Sequence, residues 1–136
     1  MMVQDGSPVL RGVTDVILGL FSTGGRADRS WYLWHILLDD LAMFTMILGV
    51  VLIEALTGSP LLILPAVGIV VAGIAAGICV TIKRLHDLER PGWHWWLLMV
   101  PLYNLYLGFS LLFQKGIDGP NRFGRNPLDI GPTLLR

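Results

Sequence analysis

Hydrophobic and polar positions alternate in blocks along this chain. From Leu10 to Phe21 the apolar residues Leu10, Val13, Ile17, Leu20 and Phe21 fall at helical spacing, with Arg11, Thr14 and Asp15 on the other side. Twelve residues are too few to cross roughly 30 Å of hydrocarbon, so the pattern predicts an amphipathic helix lying in the membrane interface over 10–21, ended by Ser22-Thr23-Gly24-Gly25. Trp31 to Leu56 predicts a first transmembrane helix and Leu61 to Ile82 a second, joined by the turn Thr57-Gly58-Ser59-Pro60. A polar stretch, 83–92, then separates the second span from an apolar and aromatic segment, 93–113, which Pro101 and Asn104 interrupt. That segment either crosses with a kink or bends back as a re-entrant hairpin. The tail, 114–136, is rich in Gly, Pro and Asn and reads as successive turns. The expected architecture is an all-α integral membrane protein forming one membrane domain over 1–136: an interfacial N-terminal helix, two full spans and a third, Pro-broken membrane helix.

Composition strengthens this picture. Of the 136 residues 54% are hydrophobic and only 15% charged, against about 25% charged in ordinary soluble domains, so much of the apolar surface must face lipid. Ten Lys and Arg balance ten Asp and Glu, which argues against a nucleic-acid footprint. The lone Cys79 sits in an apolar run and offers neither a disulfide framework nor a thiolate zinc site. Met1 to Pro8 lacks the basic-then-apolar order of a secretory signal, and insertion through the first span is expected. The basic residues sit before the first span, after the second and in the tail, with none in the turn between spans. The positive-inside rule therefore favours a re-entrant third segment, with the N-terminus, the polar stretch and the tail together in the cytoplasm.

Candidate chemistry lies at two levels. Within the first span, His35, Asp39 and Asp40 are anomalous, because intramembrane acids normally face a partner or a wet cavity. They either pair with an Arg or Lys of a neighbouring helix or handle protons or cations. Gly73 and Gly77 make a small-xxx-small face on the second span, for packing within the chain or against another subunit. At one membrane face, three clusters are expected to meet: Arg26 and Arg29; Arg84, His86 and Asp87; and Asn121 and Arg122. These residue types suit a structural clasp, a site for a lipid headgroup or phosphate, or acid–base chemistry. No metal-ligand spacing, phosphate-binding Gly loop or nucleophile elbow is present, and neither a metal nor a cofactor is expected.

The order Gly25-Arg26-Ala27-Asp28-Arg29, Lys83-Arg84-Leu85-His86-Asp87, Pro91-Gly92-Trp93 and Gly119-Pro120-Asn121-Arg122-Phe123-Gly124 resembles the small bacterial inner-membrane proteins of the domain of unknown function 805 family. The resemblance covers about Phe21 to Pro127, and Lys83 stands where that family usually carries a first arginine. It implies a helical protein of the bacterial inner membrane and supplies no activity.

The expected function is that of a non-catalytic accessory or scaffold subunit, not an enzyme, packing against membrane lipids and a larger membrane protein or complex, with no nucleic-acid partner. The alternatives are a small ion- or solute-handling protein using His35, Asp39 and Asp40, or a lipid-headgroup binder at Arg84, His86 and Asp87.

Overall fold

The computed structural model describes residues 8–129. Met1 to Ser7 and the end of the tail, with Arg136, lie outside the described residues, as do the side chains of Leu10, Arg11, Val13 and Val16 in the first helix. The described chain is helical throughout: α1 (Pro8–Leu20), α2 (Arg29–Thr57), α3 (Ile63–Asp87) and α4 (Tyr103–Phe113), with a 3-10 helix over Gly92–Met99 before α4. Two helices, α2 and the Pro60–Asp87 unit that contains α3, are long and apolar enough to cross a membrane, and α4 is a shorter apolar helix.

Each boundary has a local cause. Asp28 begins α2 because its carboxylate accepts the Trp31 N–H at 3.2 Å, covering one of the donors that a helix start leaves free. Gly58 ends it in the left-handed conformation at φ 65°, with its N–H on the Glu54 carbonyl, a geometry that glycine adopts without steric penalty. A 3-10 turn over Pro60–Leu62 leads directly into α3, and Pro65 sits in that helix's first turn, where its missing N–H costs little.

The two long helices run antiparallel and close together. A Cβ on Gly73 would stand 2.5 Å from the Met43 sulfur, and one on Gly77 would stand 3.4 Å from an Asp39 carboxylate oxygen. Further along, the Tyr32 side chain meets Thr81, and the Ala27 N–H donates to the Lys83 carbonyl at 3.1 Å. The Gly73 and Gly77 face is thus spent on α2 within this chain.

Helix α3 does not stop at Ile82. It continues to Asp87, so Lys83-Arg84-Leu85-His86-Asp87 are its last turns and not part of a loop. Hydropathy falls there, but helical hydrogen bonding is indifferent to polarity, and the carbonyls at this end find partners: the Leu88 N–H and the Arg90 N–H return to Leu85 at 3.1 and 2.8 Å.

Beyond Pro91 the chain leaves this end and comes back to it. Eight residues of 3-10 helix at about 2.0 Å each run out some ~16 Å, and eleven residues of α4 at about 1.5 Å each return the same distance. The reversal occurs at Val100-Pro101-Leu102, where Leu102 adopts φ 68°. After α4, the Ile117 N–H donates to the Asp87 carbonyl at 3.1 Å, so the excursion closes where it began. The packed interior sits at this end: Tyr32, Val80, Leu85, Leu88, Leu107 and Leu111 form one buried cluster, with Leu20, Trp31, Ile36 and Trp95 against it.

Candidate functional site: a two-arginine clasp on Asp87

Two of the polar clusters converge on the carboxylate of Asp87 through Arg26 and Arg84, and the third, Asn121 and Arg122, closes over its neighbours His86 and Glu89. The Asp87 Oδ1 accepts from Arg26 Nε and Nη2 at 3.1 and 2.9 Å, and its Oδ2 accepts from Arg84 Nη1 at 2.5 Å. Side-chain exposure is 0% for both arginines and 4% for Asp87, so this is a buried two-arginine, one-carboxylate unit.

Arg26 is saturated and Arg84 makes four hydrogen bonds. Arg26 spends its remaining donors on the carbonyls of Ile117 at 2.6 Å, Gly119 at 2.7 Å and Gly124 at 3.4 Å, so all five of its N–H bonds are directed inside the chain. Arg84 donates from Nε to the Leu111 carbonyl at 2.8 Å, from Nη1 to the Ala27 carbonyl at 3.4 Å and from Nη2 to the Gln114 carbonyl. It thereby caps the C-terminus of α4, where carbonyls lack helical partners and the helix dipole is negative. Its neighbour Lys83 does the same for another helix: its ammonium donates to the Gly19 carbonyl in the last turn of α1 and sits 5.6 Å from the Trp31 ring. Two consecutive cations thus hold the ends of two different helices.

The tail is folded over His86. The Asn121 amide donates to the His86 carbonyl at 2.8 Å, while its Oδ1 accepts the Phe123 N–H at 2.9 Å and fixes the turn. The Phe123 ring stacks on the His86 imidazole at 3.9 Å and 5° between planes. The imidazole Nδ1 lies 3.2 Å from the Gly25 carbonyl and donates to it. Arg122 reaches the Glu89 carbonyl at 2.9 Å. His86 and Asp87, adjacent in sequence, therefore serve different partners and form no acid–base dyad. Arg29 stays outside the unit, exposed at the start of α2.

Mid-span, the outcome differs. His35 is taken up locally, with Nδ1 on the Trp31 carbonyl at 2.7 Å and its ring stacked on Trp31 at 3.7 Å. The expected pairing of Asp39 and Asp40 with an Arg or Lys of a neighbouring helix is absent among the described residues. The nearby cations are committed at the clasp end, and α3 presents Gly73 and Gly77 at this level. Asp39 borders a cavity of about 320 Å³ lined chiefly by Leu20, Ile36, Leu38 and Val80, and Asp40 is exposed on the helix surface.

Sequence reasoning did not single out Gly116 or Gln114, and it assigned no role to Lys83 or Phe123. A Cβ on Gly116 would collide with the Asp87 carboxylate, so this glycine is what lets the tail lie against the ion pair. Backbone carbonyls as arginine partners carry no residue-type signal. The Lys83-Arg84 pair could have been flagged, because basic residues in a helix's last turns regularly serve carbonyl ends.

The motifs that build this clasp are those of a family. Residues 20–125 match the family model described as "Protein of unknown function (DUF805)", and the chain belongs to that family. It is 30% identical over 106 residues to the inner membrane protein YhaH of Escherichia coli K12 and to its counterpart in strain O157:H7, an alignment covering 76% of this chain and 84% of each relative. No solved structure matches. Family, relatives and apolar helices agree on a small helical protein of the bacterial inner membrane.

Proposed function

We propose that this protein is a non-catalytic accessory or scaffold subunit of a larger inner-membrane assembly, packing against a partner membrane protein and lipids. One observation carries the reading. Asp40 is a carboxylate on the exposed surface of a membrane-crossing helix, about 16 Å along that helix from Arg29, with no cation paired to it among the described residues. An ionised group facing lipid is costly, and a basic or hydrogen-bonding residue from a neighbouring subunit would relieve that cost. The clasp fits the same reading, because a unit whose donors are consumed internally shapes a surface and transforms nothing.

In this arrangement α1 lies along the interface, and the excursion over 92–113 enters the bilayer to half its depth and returns, since each ~16 Å limb is about half of 30 Å. The tail and the clasp are then cytoplasmic. Cysteines introduced at Arg125 label only from the cytoplasmic side in this topology; periplasmic labelling overturns it.

Native mass spectrometry of the assembly extracted from its own membrane tests the subunit reading. The wild-type chain is expected in a hetero-assembly of defined mass, and Asp40→Asn is expected to lose it. A chain released alone in both cases removes the proposal.

A second reading has its own observation: Asp39 has no ion pair among the described residues and borders a cavity. The protein would then handle protons or small cations through Asp39, Asp40 and His35. The apolar lining argues for a dry cavity and makes this the weaker of the two. Unchanged ion flux and proton uptake in liposomes carrying the Asp39→Asn, Asp40→Asn chain would discard it.

A further inference from the structure

Where α1 ends against α2 and α3, a cavity of about 320 Å³ is walled chiefly by Leu20, Ile36, Leu38 and Val80 and bordered by two polar side chains, His35 and Asp39. A second cavity of about 260 Å³ shares Leu20, Asp39 and Ala76 with it and adds Met43 and Ile69, so one carboxylate borders both. Gly73 and Gly77 form the seat of that carboxylate: a Cβ on Gly73 would stand 3.5 Å from Asp39 Oδ1, and one on Gly77 would stand 3.4 Å from Oδ2. Helix α3 thus meets Asp39 with two residues that have no side chain to donate to it. No hydrogen bond or ion pair reaches the Asp39 side chain among the described residues.

The chemistry of the lining restricts the occupant. His35 directs Nδ1 to the Trp31 carbonyl at 2.7 Å, and a carbonyl only accepts, so Nδ1 carries the proton and Nε2 of the neutral ring is an acceptor. Asp39 lies one turn further along the same face of α2, so both polar side chains at this wall are acceptors and an anion finds no donor. A calcium-like ion needs about six or more oxygens, and the described residues hold no group of three or more acids, histidines or cysteines that could supply them. Depth acts in the same direction. Asp39 lies about 15 Å along α2 from Arg29, half of the roughly 30 Å of hydrocarbon, where a strongly hydrated ion would have to shed its water. A cation with an apolar body reaches that level through the bilayer, and the larger cavity falls within the roughly 300–1,000 Å³ usual for small-molecule sites.

We propose that these cavities hold a lipophilic organic cation with an N–H donor, a primary or secondary amine in its ammonium form, its charge on Asp39 and its apolar body against Leu20, Ile36, Leu38 and Val80. The walls that argue against passage of inorganic ions favour this occupant. They cover its body and, by excluding water, strengthen the charge-assisted hydrogen bond from its ammonium to the carboxylate. The site shares Asp39 and His35 with the ion-handling reading but goes beyond it, and it is independent of the subunit reading, which rests on Asp40.

The test uses the full chain in phospholipid nanodiscs, with equilibrium dialysis against matched empty discs to count retained probe. The probes are phenylbutylammonium, its neutral counterpart phenylbutanol, and methylammonium, which has the donor without the body. Wild type is expected to retain phenylbutylammonium about tenfold over phenylbutanol, the scale of one charge-assisted hydrogen bond. Asp39→Asn is expected to lower retention of the ammonium about tenfold, to the level of the alcohol. Ala76→Leu, which fills space at the residue the two cavities share, is expected to lower retention of both. Equal retention of ammonium and alcohol by wild type overturns the proposal, as does a preference that survives Asp39→Asn. Displacement by methylammonium at equal concentration overturns the apolar body as part of the ligand. Retention no greater than in empty discs overturns the amine in favour of lipid chains as the occupant. Unchanged proton uptake in liposomes strikes the ion-handling reading and leaves these measurements untouched. Should Asp39→Asn melt earlier than wild type, the wild-type comparison of ammonium with alcohol decides alone.

Discussion

Two aspartates on neighbouring helices of this protein meet opposite fates. Asp87 accepts three N–H bonds from two guanidiniums and a glycine lies flat against it, whereas Asp39, facing Gly73 and Gly77 on the partner helix, receives no donor among the described residues. Asp87 is buried, at 3% exposure, and Asp39 is half-buried, so burial raises the demand at Asp87 without explaining why that demand is met. The difference is the supply of cations. At the clasp end three chain segments arrive with arginines and free carbonyls; mid-span, only two helices meet and the facing residues are small. A buried carboxylate with matched donors ties elements together, and one without them keeps its demand for a partner.

The comparison is broken most severely at Asp87. Replacing it with alanine leaves two buried guanidiniums without a counter-charge, and a loss of about 3–5 kcal/mol is expected in denaturant unfolding of the purified chain in detergent. Retention of wild-type stability would mean that the carbonyls alone hold Arg26 and Arg84. A smaller effect is expected at Gly116, where alanine pushes the tail off the carboxylate without removing any charge; about 1–3 kcal/mol is expected, read by the same melt and by faster proteolysis of the tail. The smallest belongs to Asp39. Asn in its place removes a charge that nothing among the described residues compensates, so the isolated protein is expected to change by less than about 1 kcal/mol, toward greater stability. A loss as large as that at Asp87 would show that Asp39 has a partner after all, and the contrast drawn here would fall.

Much of the fold was legible in the chain. The two long helices follow from apolar length, and the close approach of α3 from Gly73 and Gly77. The meeting of Arg26, Asp87 and Asn121 was legible too, because polar groups isolated by membrane segments have few places to go. The end of α3 was not. A run of five residues with three charges and a histidine reads as loop by hydropathy, while its helical state depends on partners 27 to 64 residues away that no local pattern encodes. The expected cation for Asp39 failed for a related reason: Lys83 and Arg84 on the facing helix are taken up by carbonyls at the ends of α1 and α4, and only the three-dimensional arrangement of carbonyls reveals that demand.

The reach of Arg26 has a consequence for how the molecule comes together. Its acceptors are Asp87 and the carbonyls of Ile117, Gly119 and Gly124, the last of them 98 residues downstream. During synthesis both long helices therefore enter the bilayer while this guanidinium still waits in water, and the last polar joint closes only when nearly the whole chain has emerged. The clasp thus acts as a completion lock: a chain cut short before Gly119 keeps its helices but carries Arg26 with unmet donors, a chemical mark that separates finished copies from unfinished ones.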